Sequence, residues 1–133
     1  MKNKIIVVSI LVICLLCSCD EQKEYTGEMD VTSSRSTLAS DGYREDITVV
    51  VDVEKIVDYE DCAWTIIDHY IANDFKNIKF SFDIKGYPYK FSADVYVVEN
   101  DDPIFRMNYI AGSYQYNIKD NPERYTLEIE NFN

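Results

Sequence analysis

Apolar and polar residues alternate over much of the chain from Ile47 onward. In ITVVVDVE, Ile47, Val49, Val51 and Val53 share one parity, while Thr48, Asp52 and Glu54 take the other. This predicts a half-buried strand. KFSFDIK repeats the pattern, with Ile78, Phe80, Phe82 and Ile84 against Lys79, Ser81, Asp83 and Lys85. Gly86 to Pro88 then marks a turn, and YKFSADVYVV follows with Tyr89, Phe91, Ala93, Val95 and Val97 on one side. The two segments read as a hairpin. After ENDDP comes IFRMNYIA, with Phe105, Met107 and Tyr109 inward. SYQYNI either continues that strand or forms a short one after a bend at Gly112. KDNPE breaks the chain, and RYTLEIENF closes it with Tyr125, Leu127 and Ile129 inward.

Between the first two predicted strands the period changes. Ile56, Tyr59, Ala63, Ile66, Ile67, Tyr70 and Ile71 fall on one stripe of a helix over about residues 56–75. Asp58, Glu60 and Asp61 suit its first turns, where the helix dipole favours negative charge. The expected fold is α+β, one amphipathic helix on a mainly antiparallel sheet of four to five strands, in the order β-α-β-β-β-β. That order resembles the cystatin-like fold. The resemblance is one of topology: no Gln-x-Val-x-Gly turn is present, and KGYPYK stands where such a hairpin would be. Cystatin-type protease inhibition is therefore not implied.

The N-terminus has no such pattern. Lys2 and Lys4 precede IIVVSILVICLL, residues 5–16, in which only Ser9 is polar. Twelve helical residues reach about 18 Å, short of a hydrocarbon core of about 30 Å. A basic start and a short apolar core read as a secretory signal. The run ends in Leu16-Cys17-Ser18-Cys19, which resembles the lipobox of bacterial lipoprotein precursors. The resemblance implies cleavage between Ser18 and Cys19, with Cys19 carrying a diacylglyceryl thioether. Cys17 departs from the usual Ala, Ser, Thr or Val at its position. Two acyl chains would anchor the protein stably. Asp20 resembles an inner-membrane retention signal of some Gram-negative bacteria. The expected organisation is a signal at 1–18, the lipidated Cys19 with a polar flexible tether to residue 42, and one domain over 43–133.

Without Lys2 and Lys4, eleven basic residues face 24 acids, a formal charge of −13. Nucleic acid is thereby an unsuitable partner, and anionic headgroups should repel the domain. With Cys14 and Cys17 lost and Cys19 alkylated, Cys62 is the one remaining thiol, so no intramolecular disulfide is expected.

Chemistry-bearing groups are sparse. His69, the only histidine, lies on the expected polar helix face beside Asp68. Cys62 is two turns away, about 10.5 Å along the axis, too far for a thiol–imidazole pair. One histidine and one thiol cannot build a zinc site, and Glu99 to Asp102 lacks EF-hand spacing. No metal or cofactor is expected. Tyrosine is the remaining signal, eleven in all. Tyr87 in a turn, Tyr96 at outward parity, and Tyr114 and Tyr116 on an edge are candidate partner-binding residues, because tyrosine contributes contact area at low entropic cost. The expectation is a non-enzymatic, lipid-anchored binding or accessory module outside the cytoplasm, with a protein or glycan partner. An envelope inhibitor or protective protein is the alternative, and a small enzyme with a helix–sheet pocket the third. An inward His69 beside an acid in a deep apolar pocket would favour the enzyme.

Overall fold

The computed structural model describes residues 28–39 and 42–132. Ser18 and Cys19 lie outside these residues. Five strands form one mixed sheet whose spatial order equals the chain order. They are β1 (Met29–Ala39), β2 (Gly42–Val51), β3 (Lys90–Val97), β4 (Phe105–Ala111) and β5 (Tyr125–Asn131). Helix α1 (Tyr59–Ala72) connects β2 to β3, and a single helical turn, α2 (Phe82–Lys85), precedes β3. Pairings β1–β2, β3–β4 and β4–β5 are antiparallel, and β2–β3 is parallel.

The expected α+β class holds, and so do the inward parities of β2, β3 and β4. Ile47, Val49 and Val51 of β2, Phe91, Ala93 and Val95 of β3, and Phe105 and Met107 of β4 are buried against Ile66, Ile67 and Tyr70 of α1. Tyr70 stacks on Phe91 at 4.0 Å between centroids, and Tyr59 on Phe105 at 4.8 Å. The helix is shorter than its periodicity. Asp58 is extended and accepts the Asp61 N–H at 3.0 Å, so the helix starts after it. Asn73 ends it in the left-handed conformation.

The element order differs from the expected β-α-β-β-β-β. Residues 29–39, read as tether, are β1, paired with β2 from Met29↔Val51 to Ala39↔Gly42. Met29 and Val31 enter the core, and a bulge between Val31 and Ser33 resets the parity beyond it. Gly42 allows the return. Its φ is +121°, and a Cβ there would stand 2.7 Å from the Tyr114 Cβ. Residues 78–85, read as a strand, do not pair. Both flanks of β2 are already occupied, by β1 and β3. Phe80 and Phe82 instead turn edge-on to Tyr70 at 4.9 and 5.0 Å, and Ile84 is 81% exposed. Residues 112–121 form turns rather than a further strand.

Five strands spaced about 4.8 Å apart span about 19 Å, roughly twice a helix diameter. A single helix therefore covers the sheet centre and leaves Leu127 and Ile129 of β5 half-buried. No second helical or strand layer is present on the opposite face among the described residues.

Candidate functional site

That opposite face is built from the outward positions of every strand. Register aligns them in rows. Arg35, Asp46, Ser92, Asn108 and Glu128 form one row. Ser33, Thr48, Asp94, Arg106 and Glu130 form the next. Arg106 ties three strands together. Its Nη1 donates to Asp94 Oδ1 at 2.7 Å and its Nη2 to Asp46 Oδ1 at 3.0 Å. The three side chains are 27%, 36% and 45% exposed respectively, so the network is fixed yet reachable. Partial burial pulls the Arg106 guanidinium down, but the bonded carboxylates of Asp94 and Asp46 more than offset it, and its pKa rises. Ser92 Oγ donates to Asn108 Oδ1 at 2.6 Å, and the Ser33 and Thr48 hydroxyls lie 3.4 Å apart. Ser33, Arg35, Asp46, Thr48, Asp94 and Arg106 surround an open depression of about 350 Å³.

A second polar cluster is enclosed. Glu45 points inward from β2 and is 1% exposed. Its carboxylate accepts from the Tyr43 hydroxyl, from Ser36 Oγ at 3.2 Å and from the Tyr70 hydroxyl at 3.4 Å. Lys85 Nζ donates to the same Ser36 Oγ at 3.0 Å. Burial pushes the Glu45 carboxyl above its usual range, against those hydrogen bonds and the Lys85 charge. Burial and the Glu45 contact push the Tyr43 phenol up to about 12. This cluster pins the β1–β2 hairpin to α1.

The four candidate tyrosines do not form one surface. Tyr87, Tyr114 and Tyr116 gather at the sheet end where β3 begins and β4 ends. There, Tyr87 stacks on Phe82 at 4.2 Å with Lys119 Nζ 5.6 Å over its ring. Arg124 lies 4.8 Å over Tyr116. The Tyr125 hydroxyl donates to the carbonyls of Pro88 and Tyr116, at 2.7 and 3.3 Å. Tyr114 is 53% exposed. Tyr96 stands apart, on the open face two residues beyond Asp94.

His69 is not directed into the core. Its Nδ1 pairs with Asp74 Oδ1 at 2.7 Å on the surface. Cys62 is buried, and burial with Asp61 and Asp58 nearby pushes its thiol up to about 12, which leaves it little nucleophilic character. No group of three or more Asp, Glu, His or Cys among the described residues could hold a metal ion. No helix among them is long and apolar enough to cross a membrane.

Asp46, Asp94 and Arg106 carried no sequence signal as a site. Each sits at outward parity in its own strand, where a charge reads as solvated. Only the parallel β2–β3 register brings Asp46 within reach of β4. Comparison with protein-family models, with curated proteins and with solved structures gives no match, so the chemistry of the open face is the guide to function.

Proposed function

We propose that this chain is a lipid-anchored extracytoplasmic binding or accessory module, tethered through Cys19, that meets its partner with the open face of the sheet. The Leu16–Cys19 sequence and the charged, apolar segment before it support the anchor. One observation carries the binding surface. Parallel strands are ordinarily covered on both faces, yet the parallel pair β2–β3 has one face under α1 and the other occupied by a fixed network of Asp46, Asp94 and Arg106. A face of this kind accepts a polar partner without rearrangement.

With β1 beginning at Met29, nine residues separate it from Cys19. At full extension that link reaches about 35 Å at most, so the domain works close to the lipid surface. The enzyme reading draws little support, since His69 is paired with Asp74 at the surface. The cystatin-like comparison does not extend to this reading, because the β2–β3 pair is parallel.

Two experiments test it. Metabolic labelling with a palmitate analogue should mark the wild-type chain and not Cys19→Ala; label retained in the variant rules out the anchor. A photo-crosslinking residue placed at Thr48 or Asn108 of the anchored protein should trap the partner, whereas one at Asp68 on α1 should not. Trapping from Asp68 alone would move the contact to the helix side.

A further inference from the structure

We infer that the depression on the open sheet face is a site for an uncharged, hydroxyl-rich ligand, a neutral oligosaccharide. This inference rests on the proposal that the open face is the contact surface, and it names the ligand class.

The hydrogen-bonding groups set the class. Arg106 uses one N–H of each Nη on Asp94 Oδ1 and Asp46 Oδ1. The remaining oxygen of each carboxylate can accept, and the guanidinium has further N–H groups to donate. Acceptors and donors side by side match a vicinal diol, in which each hydroxyl donates to a carboxylate and accepts from a guanidinium N–H. The Ser33 and Thr48 hydroxyls share only a long 3.4 Å contact and can turn to either role. Because three strands already hold Arg106 and its two acids in place, little side-chain freedom is lost on binding.

Shape and charge agree. The depression, about 350 Å³, lies at the low end of the ~300–1,000 Å³ of small-molecule sites, room for a short saccharide segment. Tyr96 stands on the same face, about 7 Å along β3 from Asp94, and offers an amphipathic ring to the apolar side of a sugar. Within the site, Arg35 and Arg106 balance Asp46 and Asp94. Glu128 and Glu130 extend the face on β5 and disfavour anions. A metal ion would lack the ligands it needs, since no metal-holding group exists among the described residues.

The test is an NMR titration of the full lipidated chain in detergent micelles. The probes are neutral glucan, mannan and N-acetylglucosamine oligomers, with heparin and poly-lysine as charged counterparts. At least one neutral oligomer should shift Asp46, Thr48, Asp94 and the Arg106 Nε–H signal, and saturate. Tyr96→Ala and Asp94→Asn should each weaken that binding at least tenfold with the melting temperature within a few degrees of wild type. Tyr96→Ala serves alone if Asp94→Asn unfolds. The inference fails if no neutral oligomer shifts these residues, or if the shifts fall around Tyr114. Binding of poly-lysine alone also overturns it and assigns the face to a basic protein, leaving the contact-surface proposal standing. A face silent to every probe, and unprotected in native envelope, removes both.

Discussion

Asn77 holds Val31 by both of its backbone groups. The Asn77 side-chain amide donates to the Val31 carbonyl at 2.8 Å, and its carbonyl oxygen accepts the Val31 N–H at 3.1 Å. The residues are 46 apart in sequence. The contact sits beside the β1 bulge, and it anchors the loop after α1 to a strand whose outer edge has no other strand beside it among the described residues.

The bond pair makes β1 an integral part of the domain. Asn77→Ala leaves both Val31 backbone groups without that partner and should cost about 1–2 kcal/mol, read as a lower urea midpoint. A chain shortened to begin at Gly42 loses Met29 and Val31 from the core and should not fold cooperatively. If the shortened chain melts like the full one, β1 contributes nothing.

Glu45 should give stability a pH dependence of definite sign. Its folded-state pKa is raised, mainly by burial. Its stabilising contribution is therefore complete below its unfolded value near 4.5 and is lost as pH rises through the raised folded value. Glu45→Gln removes that titration. The stability difference, variant minus wild type, should grow in favour of the variant from pH 4.5 upward, then level off. A flat difference across pH 4.5 to 8 would mean that Glu45 titrates as though it were in water.

The Arg106 network should be modest in stability and specific in signal. Arg106→Gln leaves Asp46, Asp94 and the neighbouring Glu130 unneutralised on one face. The expected loss is about 1–2 kcal/mol, because the groups are partly exposed. The loss should shrink at high salt, which screens the uncompensated acids. A salt-independent loss would point to packing instead.

Phe91 is the centre of the aromatic core, fully buried and stacked on Tyr70. Phe91→Ala should cost about 3–5 kcal/mol, measured by urea unfolding. Phe82→Ala should cost less, since Phe82 is only partly buried at the edge of the same cluster.

The inward faces of β2, β3, β4 and α1 were legible because each buries one parity or one stripe. Ile47, Phe91, Met107 and Ile66 are where alternation and helical period put them. Two segments misled for opposite reasons. β1 is rich in Ser and Thr, with Val31 and Leu38 its only large aliphatics, so it has no hydrophobic signature. The Asp41-Gly42 dipeptide before an alternating segment was its one hairpin signal. Residues 78–82 alternate because Ile78, Phe80 and Phe82 pack one-sidedly on the core. One-sided burial is not strand pairing. Asn73 holds that segment through the Phe80 N–H and carbonyl, at 2.9 and 3.0 Å, in place of a neighbouring strand. The open-face network was illegible because its members come from three strands, and pairing register cannot be read from any one of them.

The open sheet face, rather than the helix side, is the surface proposed to meet the partner. Two oxidisable aromatic side chains report on the two sides, Tyr96 on the open face and Trp64 on α1, 39% exposed. Hydroxyl-radical footprinting of the anchored protein, in native envelope and after purification, compares them directly. Tyr96 should be protected in envelope while Trp64 oxidises equally in both samples. Protection of Trp64 with Tyr96 unchanged would contradict it.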